Sequence, residues 1–177
     1  MMTLTKTKTP IHTFVFNGQD NGGESLSFTA TLKNDAFTQS FDMQSYCNSA
    51  HIRLVGSLVT PKMLREAANV LDAKWVEVNI RARQTALPTD TLLDSVCVNL
   101  VEAEDSEPLI LRTEYFDNGD SAAGLESGVY TNQHLVSDNG NIISSFHLCG
   151  ASITPEGLRK LANELDHFLA VNNTIKT

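Results

Sequence analysis

Two sets of three polar residues stand at positions where their types and spacing could support chemistry. In each set an arginine, an asparagine and an aspartate follow one another at i, i+4 and i+7, which places them on one side of a helix. Such a stripe can form a hydrogen-bond network on its own helix, or it can face its duplicate or a common partner. Neither set brings a nucleophile or a general base, so we expect no catalysis from them. These Arg-Asn-Asp stripes are Arg65, Asn69 and Asp72, and Arg159, Asn163 and Asp166.

A concentration of negative charge is the second candidate. Residues 94–126 hold nine acidic residues and one basic residue, so their net charge equals the −8 of the whole chain. An acidic surface repels phosphates, which argues against direct nucleic-acid binding there, and it can steer association with a basic protein surface. We expect such a docking surface on a hairpin, with an ordinary solvated hairpin as the alternative. This acidic hairpin comprises Glu102, Glu104, Asp105, Glu107 and Glu114.

The other reactive side chains predict neither a metal centre nor a catalytic group. The five histidines lack the spacing of a metal site, and the sequence contains no Gly-x-Ser-x-Gly or Cys-x-x-Cys motif. Cys97 lies among valines and Cys149 follows a leucine, so we expect both to be small buried side chains. No cofactor is predicted.

The Arg-Asn-Asp stripes belong to a segment that occurs twice. Residues 56–72 and 150–166 start 94 positions apart and agree at 9 of 17 positions without a gap, which indicates an internal duplication. In both copies Thr-Pro is typical of a helix start, and three apolar residues form a stripe that would face a sheet. The identical pairs are Gly56/Gly150, Thr60/Thr154, Pro61/Pro155, Leu64/Leu158, Arg65/Arg159, Ala68/Ala162, Asn69/Asn163, Leu71/Leu165 and Asp72/Asp166.

Short alternating segments predict strands around the two helices. Before the first helix, predicted for about 61–73, strands are expected at 12–17, 25–33, around 37–43 and at 51–55, with a weak edge strand at 3–9. A linking strand is expected at 76–83, where Val76, Val78, Ile80 and Ala82 alternate with polar residues. Further strands are expected at 96–101, 109–116, 129–136 and 141–148, before a second helix at about 155–170.

These elements predict an α+β protein. We expect a tandem duplication of an antiparallel four-to-five-stranded β-meander followed by one α-helix, with the two units related by a pseudo-twofold axis. The expected divisions are a flexible N-terminus at 1–10, a first unit at 11–75, a second unit with its linking strand at 76–171, and a tail at 172–177.

The sequence favours a cytoplasmic binding protein over an enzyme. There is no apolar run of membrane-spanning length, no signal peptide, and an odd number of cysteines. The leading hypothesis is a protein-binding or inhibitor protein of bacterial or phage-like origin whose acidic hairpin engages a basic partner. One alternative is a protein that binds a small anionic ligand between the two units, through Arg65 and Arg159. Another is a structural or assembly subunit, and a homodimer is also possible.

Overall fold

Antiparallel sheets and two helices make up the fold, in the chain order five strands, helix, five strands, helix. The computed structural model describes residues 11–17, 25–33, 36–44, 49–54, 58–84, 90–102, 108–117, 128–138, 143–148 and 152–173. The strands are β1 (Ile11–Asn17), β2 (Ser25–Lys33), β3 (Ala36–Gln44), β4 (Ser49–Leu54), β5 (Leu58–Val59), β6 (Leu92–Asn99), β7 (Val101–Glu102), β8 (Leu109–Asp117), β9 (Val129–Asp138) and β10 (Ile143–His147). The helices are α1 (Pro61–Gln84) and α2 (Pro155–Asn173). An α+β protein is therefore confirmed.

Two four-stranded sheets follow the chain as simple meanders. The first has the order β1-β2-β3-β4 and the second the order β6-β8-β9-β10, with every neighbouring pair antiparallel. Alternation dictates which side chains turn inward, as in β2, where Leu26, Phe28 and Ala30 are fully buried. The short strands β5 and β7 pair with each other and so link the segment before α1 to the second half of the chain. Of the nine strands predicted between 12 and 148, eight are confirmed, the exception being 76–83; the predicted edge strand at 3–9 lies outside the described residues.

Both helices begin as the repeated Thr-Pro predicts. The hydroxyl of Thr60 accepts a hydrogen bond from the Met63 amide at 3.3 Å, and that of Thr154 accepts one from the Gly157 amide at 3.0 Å. Each threonine thus caps amides that have no partner within the helix. The proline that follows starts the helix without losing a needed hydrogen bond.

Helix α1 is longer than predicted, and the linking strand at 76–83 is wrong. The helix runs to Gln84, because no glycine or proline interrupts the chain between Pro61 and Pro88. Val78 and Ala82 are buried while Val76 and Ile80 are exposed, as helical spacing from Leu71 requires and strand alternation does not. Ion pairs at i+3 and i+4 and two arginines in the last turn add support to this half of the helix.

One large core joins the sheets and the helices, and a smaller cluster of buried residues lies under the second half of α1. One cluster of buried residues includes side chains from β1 to β4, from β6, β8 and β9, and from both helices. The second half of α1 lies over β6, where Val78 and Ala82 pack with Leu93, Tyr115 and Val129. Helix α2 continues through 172–173, which the sequence analysis assigned to a tail. Neither α1 nor α2 combines the length and the hydrophobicity needed to cross a lipid bilayer.

Candidate functional site

A buried glutamine in each sheet fastens the backbone just before a helix. Gln39 on β3 donates from Nε2 to the Val59 carbonyl at 2.9 Å and accepts from the Val59 amide at 2.6 Å. Gln133 on β9 makes the same pair of bonds with Ile153, at 3.0 and 2.7 Å, and also donates to the hydroxyl of Thr113. The two glutamines stand 94 positions apart, the offset of the repeated segment. They fix the starts of α1 and α2 against the two sheets.

The two Arg-Asn-Asp stripes meet each other between the helices. Each arginine donates from Nη2 to the asparagine of the other helix at 2.9 Å and to its aspartate at 2.6 Å. These reciprocal contacts require α1 and α2 to lie side by side in opposite directions. The side chains are 41–54% exposed, so the pairs orient the helices more than they stabilise them. The bonds join Arg65 to Asn163 and Asp166, and Arg159 to Asn69 and Asp72.

A pocket of about 450 Å³ opens beside this helix pair, on the inward face of the second sheet. We call it the Trp75 pocket. Helix α1 contributes Leu71, Asp72 and Trp75 to its wall. The strands β8 and β9 contribute Thr113, Tyr115, Thr131 and Gln133. The segment before α2 contributes Ser152, Ile153 and Thr154, and the first turns of α2 contribute Pro155, Glu156 and Arg159. Its size and its mixture of aromatic and polar groups are those of a small-molecule site.

The two sheets differ in the side chain that stands two positions before the buried glutamine. Thr131 lies two positions before Gln133 on β9, as Phe37 lies two positions before Gln39 on β3. The Phe37 ring packs against the core, with its centroid 6.1 Å from that of Phe168 on α2. Thr131 is exposed and lines the Trp75 pocket.

Most charged groups at the pocket already have partners. Asp72 accepts from the Arg159 guanidinium at 2.6 Å, and Glu156 lies 2.8 Å from the Lys160 ammonium, which lowers the pKa of that carboxyl. Burial raises the pKa of Tyr115 to about 12, so its hydroxyl keeps its proton at neutral pH. The Tyr115 ring lies 6.3 Å from the Trp75 ring, centroid to centroid, and the two form an aromatic corner.

Of the predicted acidic hairpin, the structure describes Glu102 and Glu114. Glu102 is exposed on β7 and lies 4.0 Å from Lys62, whereas Glu114 lies in the middle of β8, bonded to Arg112 at 2.5 Å. Asp94, also in the acidic segment, is bonded to the Lys74 ammonium, which lowers the pKa of that carboxyl. Glu104, Asp105 and Glu107 lie outside the described residues.

The outward face of the second sheet holds a pair of histidines. His134 and His147 lie on paired strands with ring centroids 4.8 Å apart. Cys97 is exposed on this face, opposite Arg112, so its prediction as a buried side chain is wrong: Val96 and Val98 turn inward instead. Cys149 lies outside the described residues. Within the described ranges, no three histidine, cysteine or acidic side chains are grouped so that they could hold a metal ion.

Comparison of the chain with protein-family models, with curated proteins and with solved structures found no match. Its function is therefore inferred from its own geometry.

Sequence reasoning found one wall of the pocket and missed the others. The Arg-Asn-Asp stripes contribute Asp72 and Arg159, but Trp75, Tyr115 and Thr131 had no motif to mark them. One signal was present: the 94-residue offset extends upstream to the paired glutamines. Applied to the strands that hold these glutamines, the same offset aligns Thr131 with Phe37. The sequence therefore indicates that a small side chain replaces a large one at this position of the second sheet.

Proposed function

We propose that this protein is a non-catalytic binding protein, built by tandem duplication of a four-stranded meander and a helix. Its two units are related by a pseudo-twofold axis. A small ligand binds in the Trp75 pocket, where α1 of the first unit meets the second sheet and α2.

The duplication is supported by contacts that recur at one offset. The hydrogen bonds of Gln39 to Val59 recur 94 positions later as those of Gln133 to Ile153, and we call these two pairs the glutamine clamps. The helix caps at Thr60 and Thr154 are likewise 94 positions apart. Each arginine of the stripes bonds to an asparagine at 2.9 Å and to an aspartate at 2.6 Å on the other helix. A twofold axis between α1 and α2 would exchange these contacts pairwise.

The open pocket is the observation that carries the binding proposal. A space of about 450 Å³ against the core forgoes packing contacts that a larger side chain would supply. The first sheet fills the corresponding place with Phe37, so the fold accommodates a large ring there. Retaining Thr131 in the second sheet leaves room for a ligand.

The test is a thermal-shift screen of a metabolite library with wild-type protein and with Thr131→Phe. A ligand at about one hundred times its Kd stabilises by about 2.7 kcal/mol, which raises the Tm of a chain of this size by about 5–10 °C. We expect hits on the wild type to be lost in Thr131→Phe and kept in Asn132→Phe, which adds the same ring on the outward face of β9. No hits, or hits unaffected by Thr131→Phe, would overturn the proposal.

The charge distribution favours a second candidate, a docking surface for a basic protein partner. The acidic segment carries the whole net charge of the chain, and Glu102 is exposed within it. Ion pairs to Lys74 and Arg112 neutralise Asp94 and Glu114, so the surface would rest on Glu102 and its neighbours toward Pro108.

Pull-down from the host with Glu102, Glu104, Asp105 and Glu107 changed to the corresponding amides tests this candidate. We expect weaker capture of a partner and a flatter dependence on salt, because steering by the acidic charges would be removed. Unchanged capture by the neutralised variant would contradict the docking surface and leave the pocket proposal untouched.

A further inference from the structure

We propose that the Trp75 pocket takes an uncharged aromatic molecule of one or two rings that carries a hydrogen-bond acceptor. This inference rests on the proposed function and specifies its ligand. Its lining supplies an aromatic corner, hydrogen-bond donors that have no partner among the described residues, and charged groups that are already paired with one another.

The aromatic corner selects for a flat ring. Trp75 and Tyr115 stand with their planes inclined by 47°, and Leu71 and Ile153 complete an apolar wall beside them. A ligand ring can stack on one of the two aromatic side chains and meet the other edge-on, the arrangement that aromatic pairs favour. A saturated ring of similar size fills the same space without this gain.

Three side chains in the wall can serve the polar end of the ligand. Within the part of the chain that the structure describes, the indole of Trp75 and the hydroxyls of Tyr115 and Thr131 make no hydrogen bond. The indole is a donor only, and the protonated Tyr115 hydroxyl is available as a donor. Gln133, by contrast, is occupied by the Ile153 backbone and Thr113. A carbonyl or ring nitrogen on the ligand would satisfy these donors.

The charges at the wall oppose a negative ligand. Both carboxylates of the wall are already paired, Asp72 with the Arg159 guanidinium at 2.6 Å and Glu156 with the Lys160 ammonium at 2.8 Å. Arg159 also donates to Asn69 at 2.9 Å. An anion would have to displace these bonds and would still meet the two carboxylates. The anionic ligand expected from the arginines in the sequence is therefore not the one proposed here.

Tryptophan fluorescence provides a direct measurement, because Trp75 is the one tryptophan of the chain. Three probes separate the requirements: benzamide, cyclohexanecarboxamide, which keeps the acceptor but loses the aromatic ring, and benzoate, which keeps the ring but is charged. We expect benzamide to bind about five- to tenfold more tightly than either analogue, the scale of an aromatic contact or a lost hydrogen bond.

Two matched variants locate the hydrogen bond. Tyr115→Phe keeps the ring and removes the hydroxyl, and should weaken benzamide binding about three- to tenfold. Tyr130→Phe is the control, because the Tyr130 hydroxyl donates to Asp90 at 2.7 Å and does not line the pocket. Equal losses in the two variants, or none in Tyr115→Phe, would refute the assigned donor.

The outcomes separate the ligand class from the site. If benzoate or cyclohexanecarboxamide binds as tightly as benzamide, and Thr131→Phe abolishes that binding, the class is wrong and the pocket stands. The ligand class is also wrong, and the pocket stands, if none of the three probes binds but other library compounds do and Thr131→Phe abolishes their binding. Benzamide binding that Thr131→Phe leaves unchanged would overturn both proposals.

Discussion

Replacing Gln39 by leucine should destabilise the protein strongly, although the two side chains are similar in size. Gln39 is 1% exposed and satisfies both the amide and the carbonyl of Val59, which is itself 1% exposed. Leucine leaves these two buried backbone groups without partners, at about 1–3 kcal/mol each. A water molecule can hydrogen-bond to one of these groups and reduce this loss, so we expect the free energy of unfolding to fall by about 2–4 kcal/mol in total.

Urea unfolding measures this loss. With a slope of about 2 kcal/mol/M, the midpoint of Gln39→Leu should fall by about 1–2 M. Gln44→Leu is the matched control, because Gln44 is exposed at the end of the same strand, and its midpoint should move by less than about 0.3 M. Gln133→Leu should lose at least as much as Gln39→Leu, since Gln133 also bonds to Thr113.

Two results would refute this reasoning. A midpoint for Gln39→Leu equal to that of Gln44→Leu would mean that the clamp contributes nothing to stability. A large loss in Gln39→Leu together with none in Gln133→Leu would mean that the two clamps are not equivalent, and would weaken the proposed duplication.

Three further predictions follow from other parts of the fold. A double-mutant cycle on Arg65 and Asp166 should give a coupling of about 0.2–1 kcal/mol that shrinks with salt, because the pair is half exposed; a larger, salt-independent value would contradict this. Partial burial and the neighbouring imidazole on β10 lower the pKa of His134 below 6.5, so the unfolded state binds its proton first and stability should fall as pH drops below about 6.5. His134→Asn should flatten that dependence in urea titrations across pH. Val78→Ala should lower the free energy of unfolding, measured in urea, by about 1–2 kcal/mol, because Val78 is buried, and Val76→Ala should lower it by less than about 0.5 kcal/mol, because Val76 is exposed. Equal losses would contradict the helix and indicate a strand, in which both side chains share one face.

The parts of the fold that the sequence predicted are those with a local cause. Alternation in β2 and the Thr-Pro caps of α1 and α2 depend on residues within a few positions of one another, and these elements lie where expected. The second half of α1 misled the prediction because its β-branched residues also alternate at period two. The packing of Val78 with Leu93, Tyr115 and Val129 favours the helix, and these residues come later in the chain, where local patterns do not reveal the contact.

The candidate site was less predictable because its parts come from four elements. The Arg-Asn-Asp stripes were visible as a repeat, but two geometries were open for them, a network on each helix or a contact between helices. Only the packing of α1 against α2 decides that Arg65 reaches Asp166. Thr131 lines the pocket, and no sequence motif marks such a position.

The length of α1 has a consequence for dividing the chain. Its first turns carry Arg65 and pack with α2, while its last turns place Val78 and Ala82 in a cluster with side chains of the second sheet. A chain cut between α1 and β6 would leave each fragment with apolar surface that only the other fragment covers. We therefore expect two such fragments to associate when they are mixed. The interface between them is built like that of a heterodimer, and in the intact protein one covalent connection joins its two sides.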